Sequence, residues 1–361
     1  MEKAKVSKST FYKMKNGQNV TTDVLLRICN ALDCDIEEIV ECIREVKWGG
    51  EKMSHCHTNN ITIKNNLHIY YISFDLLNNG YGQVKDKFYN ELFDDIPAFA
   101  FGTDVMNQKI NQIGLVPTVR EAMKKIYSIK EIQEASREYL DSNSTEDKYI
   151  KRGEFGELLL YHLLHEYFEA DALISKIYFK DSAGSVAHGF DAVHVDTNRK
   201  IIWLGESKLY RDPSTAVNEL ANDVVNHFNV NFLDSEFQII TNRIHDSKIA
   251  CDDYILKLLD PNTRTLDKLA NINICLFAAF ESESLVNYNE DDFEETLKEE
   301  VEKLDKRMGN LLSKHTWAKH LNVYLLTFPL DNKRDFVASL HQKLKGGQQI
   351  WKIILFLMLI L

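Results

Sequence analysis

The chain has 361 residues, 44% hydrophobic and 27% charged, enough for two or three domains with at least one substantial core. Lys and Arg number 43 against 54 Asp and Glu, a formal net charge of -11. That balance excludes a protein that coats nucleic acid by bulk charge. Any DNA contact must come from local patches, from metal ions that offset phosphate charge, or from a partner. Six cysteines (Cys29, Cys34, Cys42, Cys56, Cys251 and Cys275) form no CxxC pair, which points to a reducing, cytoplasmic setting. The run His55-Cys56-His57 offers metal-ligand types, but a zinc site needs about four ligands, usually from two separated pairs. The sequence shows no second pair, so the run is not assigned to a metal.

Residues 1–47 read as a small helical unit. The start, Met1-Glu2-Lys3-Ala4-Lys5, lacks the apolar segment of a signal peptide. Ser7 caps a helix through Phe11, Tyr12 and Met14, Thr22 caps a second, and Asp35 a third with Ile36, Ile39 and Val40 inward. Val6-Ser7-Lys8-Ser9-Thr10-Phe11-Tyr12-Lys13-Met14, followed by Leu25, Leu32 and Ile39, resembles the Cro/CI-type helix-turn-helix family. In that family the helix starting near Ser7 enters the major groove, so Ser7, Lys8, Ser9 and Lys13 become candidate DNA contacts. Five lysines against one glutamate in the first twenty residues agree. The segment before Ser7 is too short for the family's first helix, and the other reading is a helical module used for packing or dimerisation.

Residues 48–65 are polar and contain glycine, and are expected to be a linker. A strand is expected at about 67–77 and helices over 84–146, with Gly102 and Pro117 marking loops. A helix then covers about 149–168, followed by strands at 173–180, 189–196 and 200–207 and a helix at 213–229. Strands at 236–241, 272–281 and 321–328 alternate with helices at 252–259, 292–314 and 332–345. Helix, three strands, helix, strand is the order of the PD-(D/E)xK restriction-endonuclease-like core, an α/β fold with a mixed central sheet flanked by helices. Residues 289–306 hold nine acidic and three basic side chains and read as a solvated helix face. Ile350–Leu361 is apolar apart from Lys352, too short for a membrane span of about 20 residues. It is not read as an anchor.

The chemistry is expected where Gly189-Phe190-Asp191 meets Gly205-Glu206-Ser207-Lys208. Residues two apart on a strand share a face, so Glu206 and Lys208 project together. The turn near Asn198 brings Asp191 beside Glu206 from the neighbouring antiparallel strand. Two carboxylates would bind Mg²⁺, which Mn²⁺ can replace, and the ammonium would orient the attacking water and stabilise the charged transition state. The other reading is a salt-bridged strand end emerging into solvent. Arg152-Gly153-Glu154-Phe155-Gly156-Glu157 opens the preceding helix, and Glu157 is the candidate for a further metal carboxylate, with Glu154 the alternative. Arg152 and Tyr210 are candidate phosphate contacts, His188 is a loop residue or a contact to the scissile phosphate, and Asn222 and His227 on the helix that follows could face the site, although nothing singles them out.

These segments, with Ile274-Cys275-Leu276-Phe277 and Val323-Tyr324-Leu325-Leu326, resemble HamA, the effector family of the Hachiman anti-phage defence system. The resemblance spans about residues 66–340. It implies DNA degradation during infection and a superfamily 2 helicase partner, HamB, that restrains or releases the nuclease. It divides the chain into the unit 1–47, the linker 48–65, an N-terminal part of the HamA-like region at 66–147, a nuclease core at 148–345 and an apolar tail at 346–361. No membrane role is expected, and a homo-oligomer is compatible with the pattern. The competing readings are a transcription regulator with a non-catalytic C-terminal domain, a catalytically dead scaffold, and a restriction-type endonuclease.

Overall fold

The structure is a computed structural model that describes residues 24, 28, 30, 31, 56–78, 80–127, 154–175, 190–247 and 251–343. The chain divides into two units, Met1–Ser54 and His55–Leu361. In the first, Val24, Ile28, Asn30 and Ala31 are helical and Val24 is buried. Ser7, Lys8, Ser9, Lys13, Arg152, His188 and the tail 346–361 lie outside the described residues.

The second unit opens on an antiparallel pair, β1 (Thr58–Lys64) and β2 (Leu67–Ile72). A small hairpin follows, β3 (Phe74–Leu77) with β4 (Gly80–Gln83). Four helices come next: α1 (Lys85–Asp94), α2 (Ile96–Phe101), α3 (Thr103–Ile113) and α4 (Leu115–Tyr127). Helix α5 (Glu154–Phe168) leads into the meander β5 (Asp171–Ser175), β6 (Ala192–Asp196) and β7 (Ile201–Leu209). Helices α6 (Pro213–His227), α7 (Val230–Ser247), α8 (Asp253–Leu259) and α9 (Thr265–Ala270) precede β8 (Ile272–Glu281). The short α10 (Glu283–Val286), α11 (Phe293–Leu312), β9 (Asn322–Leu330) and a helix α12 at 333–343 complete it.

The main sheet has seven strands in the order β1-β2-β9-β8-β7-β6-β5. Strands β5, β6 and β7 are antiparallel to one another, whereas β7, β8, β9 and β2 run parallel. Strand β8 is buried from Ile272 through Phe280, as a parallel central strand covered on both faces must be. Its side chains alternate between two cores. Cys275, Phe277 and Ala279 pack with Trp203 under α1, α2 and α5. Ile274, Leu276, Ala278 and Phe280 pack with Ile202 and Leu204 under α6, α7, α8 and α11. Helix α5 is buried along most of its length: Leu159, Leu160, Leu163 and Leu164 are all at 0% exposure. Each such leucine contributes about 1.5–3 kcal/mol of burial.

Four expectations are corrected. The segment 236–241 is not a strand but lies inside α7: Leu233, Phe237, Ile240 and Ile244 recur at helical spacing and are buried. The stretch expected to be a linker contains β1, whose outer edge is polar because one side has no neighbour. Ser73 breaks the strand expected over 67–77 into β2 and β3. Pro117 does not mark a loop. It sits in the first turn of α4, where its missing N–H costs nothing, and the break falls at Gly114 with φ +87°. The acidic stretch 289–306 is largely the outer face of α11, whose Phe293, Leu297, Val301, Leu304 and Met308 point inward.

Candidate active site at the β6–β7 hairpin

Strand β7 sets the site by its alternation. Ile202 and Leu204 belong to the core under α6, so Glu206 and Lys208 continue that face. Gly205 and Ser207 face α5. A methyl group at Gly205 would come within 2.7 Å of Leu160 Cδ2, and one at Gly156 within 3.4 Å of Ser207 Oγ. Glycine at 205 therefore lets α5 settle directly on the strand that carries Glu206.

The β6–β7 register pairs Ala192 with Gly205, so Asp191, one residue further, comes level with Glu206. Asp191 is 3% exposed, and its Oδ2 accepts hydrogen bonds from Ser207 N and Ser207 Oγ, both at 2.9 Å. The carboxylate thus replaces the ladder partner that β6 no longer supplies and stays pinned at the strand end. Lys208 Nζ lies 2.9 Å from Glu206 Oε1 and 2.7 Å from Asp223 Oδ2 on α6. Burial opposes the ammonium, but Glu206 and Asp223 more than offset it and lift Lys208 above the ordinary lysine value. Tyr210 donates to Glu219 Oε2 at 2.5 Å. Burial and that carboxylate push its pKa up to about 12. Its hydroxyl is held by an acid.

Glu157 is 5% exposed in the first turn of α5, next to Gly156, where an added methyl would meet Ser207 and Leu209. Its helix packs on the face of the sheet opposite to Glu206. Glu154, one turn earlier, is half-buried. Both acids also suit a helix N-terminus electrostatically. Asp191, Glu206 and Lys208 are therefore gathered at one strand end, with Glu157 on the adjoining helix. Among the described residues, the His, Cys and carboxylate group that converges within 4.8 Å lies elsewhere, at Cys56, Glu91 and His162.

Asn222 and His227 are exposed. Asp223, between them, is the α6 residue that reaches Lys208, and sequence reasoning passed over it. The available signal was the i,i+4 pair Glu219 and Asp223, set against the i,i+2 pair Lys208 and Tyr210. Ser207, inside the Glu-x-Lys motif, was also missed as the donor to Asp191.

The sequence model of the HamA family matches residues 50–344. The chain belongs to the HamA family. The family is that of the Hachiman defence effector. Residues 1–45 match the Cro/C1-type HTH DNA-binding domain. No curated protein matches the sequence. No helix among the described residues is long and apolar enough to cross a membrane.

Proposed function

We propose that this HamA protein is a metal-dependent deoxyribonuclease with a PD-(D/E)xK core, working as a defence effector under the control of a HamB-like superfamily 2 helicase. The observation that carries the reading is the hairpin end: Asp191 level with Glu206, and Lys208 two residues on, on the face of Glu206. The order α5, β5, β6, β7, α6, β8, with an antiparallel meander and β8 parallel to β7, supports the core assignment.

The donor set suits Mg²⁺. Asp191 and Glu206 offer only oxygen, the preference of a hard cation. The Lys208 ammonium between Glu206 and Asp223 marks the pocket as one that stabilises positive charge. A bound Mg²⁺ supplies an activated water and offsets charge on the phosphate. Asp191, held by Ser207, and Glu206 would hold the ion from two adjacent strands, while Glu157 lies on the helix behind the hairpin. Lys208 orients the attacking water and stabilises the oxygen charge that develops at phosphorus. Asp223 pairs with Lys208 in the resting site and competes with phosphate for it.

The test is cleavage of supercoiled plasmid by the purified chain with Mg²⁺, beside EDTA and Lys208→Ala. Nicking that needs the metal and is lost in Lys208→Ala is expected, either from the chain alone or after the helicase and DNA ends are added. Silence under both conditions would refute the nuclease reading and favour a regulator built on the helix-turn-helix domain at residues 1–45.

A further inference from the structure

Three chemistry-bearing side chains meet away from the hairpin. Cys56 lies just before β1, Glu91 on the last turns of α1 and His162 in the middle of α5. The sulfur, one carboxylate oxygen and one ring nitrogen all lie within 4.8 Å of one another. Cys56 belongs to the His55-Cys56-His57 run, which lacked a second ligand pair in the sequence. Glu91 and His162 are that pair, brought in by the fold.

We propose that Cys56, Glu91 and His162 form a zinc site, with solvent as the fourth ligand. Each ligand is already oriented by a neighbour, as the ligands of built metal sites are. His162 is 3% exposed, and its Nδ1 lies 2.7 Å from Asp95 Oδ2. Donation to that carboxylate leaves Nε2 as the coordinating nitrogen, buried with the Cys56 thiol as its polar neighbour. Carboxylate, histidine and ion in line is a recurrent zinc arrangement. Glu91 accepts from the backbone N–H of His57 at 2.9 and 3.1 Å, and His57 Nδ1 also contacts it. Cys56 Sγ lies 2.9 Å from Thr58 Oγ1 and 3.5 Å from Tyr167 Oη.

The donor set chooses the ion. One sulfur, one nitrogen and one oxygen favour Zn²⁺ over Mg²⁺. Thiolate and carboxylate carry two negative charges beside a neutral imidazole, matched to a dication. Zinc bonds of 2.0–2.3 Å place tetrahedral ligand atoms about 3.3–3.8 Å apart. Cys56 and Glu91, both half-buried, are the ligands that would close to that separation around the ion. The ion would tie the start of β1 to α1 and to α5, the helix that also carries Glu157.

The experiment is metal analysis of the full chain, purified without a histidine tag, by mass spectrometry of the elements. One zinc per chain is expected, retained in Asp191→Asn and Glu206→Gln and lost in Cys56→Ala and His162→Ala. Cobalt in its place should give tetrahedral absorption bands and a sulfur-to-cobalt charge-transfer band that Cys56→Ser removes. If the variants do not fold, the natural chain decides. Zinc should then slow alkylation of Cys56, mapped by peptide mass, while Cys251 reacts as before. The proposal is overturned if the natural chain takes up neither zinc nor cobalt, if the folded variants keep full zinc, or if zinc leaves Cys56 alkylation unchanged.

Discussion

Asp191 holds the end of the hairpin together and, in the proposed chemistry, also binds the metal, and two substitutions separate those roles. Asp191→Ala removes the acceptor of the Ser207 N–H and O–H, both at 2.9 Å, from a residue only 3% exposed. A buried donor left without an acceptor costs about 1–3 kcal/mol, so losing both costs about 2–4 kcal/mol after local relaxation. In a unit of this size that lowers Tm by on the order of 5 °C. Asp191→Asn keeps an oxygen where Oδ2 stands and should cost less than about 1.5 kcal/mol, the difference between a charged and a neutral acceptor. It nevertheless replaces an anionic ligand by a neutral one, and plasmid nicking should fall by at least about a hundredfold, the scale of one lost electrostatic group. Thermal melts and Mg²⁺-dependent nicking of the two variants provide the assay. Equal destabilisation by Asn and Ala would refute the Ser207 argument. Full nicking by Asp191→Asn would refute Asp191 as a metal ligand.

Gly205→Ala puts a methyl 2.7 Å from the fully buried Leu160 and should cost about 1–3 kcal/mol in denaturant melts; a neutral result would show that α5 is free to move off β7. Asp223→Asn removes a partly exposed ion pair at 2.7 Å, worth about 1 kcal/mol, so stability should barely change while nicking by the isolated chain rises up to about fivefold. A fall in nicking would instead make Asp223 a required positioner of Lys208. Burial, with the nearby His165, holds His194 down at about 4, although its Nδ1 donates to Ala170 O at 2.9 Å. The unfolded chain therefore takes this proton first. The stability contributed by neutral His194 is intact above about pH 6.5 and is lost as pH falls toward 4, on the order of 3 kcal/mol in full. Urea melts between pH 7 and 4.5 should show that slope, and His194→Gln should flatten it; equal slopes would remove His194 as the cause.

Much of the second unit could be read because its signals are local. The apolar run 274–280 forms the body of one strand, and the hairpin turn after Asp196 sets the pairing that brings Asp191 level with Glu206. Phe237-Gln238-Ile239-Ile240 misled because four residues rich in β-branched and aromatic side chains fit either period. Only the longer series from Leu233 to Ile244 separates helix from strand. Strand β1 was hidden by Asn59, Asn60 and Thr62, polar residues acceptable on a sheet edge. The Cys56, Glu91 and His162 cluster joins residues far apart in the chain, and the Lys208–Asp223 pair joins a strand to the helix that covers it. No periodicity encodes such meetings, since they follow from which helix covers which face.

The charge of the site explains why partner control suits this chain. Lys208, the cation at the hairpin end, is bonded to Glu206 and Asp223, so a phosphate must compete with two carboxylates for it. The chain as a whole carries a formal charge of -11, although its first twenty residues hold five lysines and one glutamate. Long-range attraction therefore does little to bring DNA to the hairpin. A divalent ion between Asp191 and Glu206 would change this locally, drawing Glu206 away from Lys208 and leaving the ammonium to face phosphate. In the proposed function, a helicase that delivers DNA would supply affinity that the net charge of the chain does not. In that proposed function, restraint and activation draw on the same few charges, and the resting ion pairs of Lys208 are the barrier that metal and substrate together would displace.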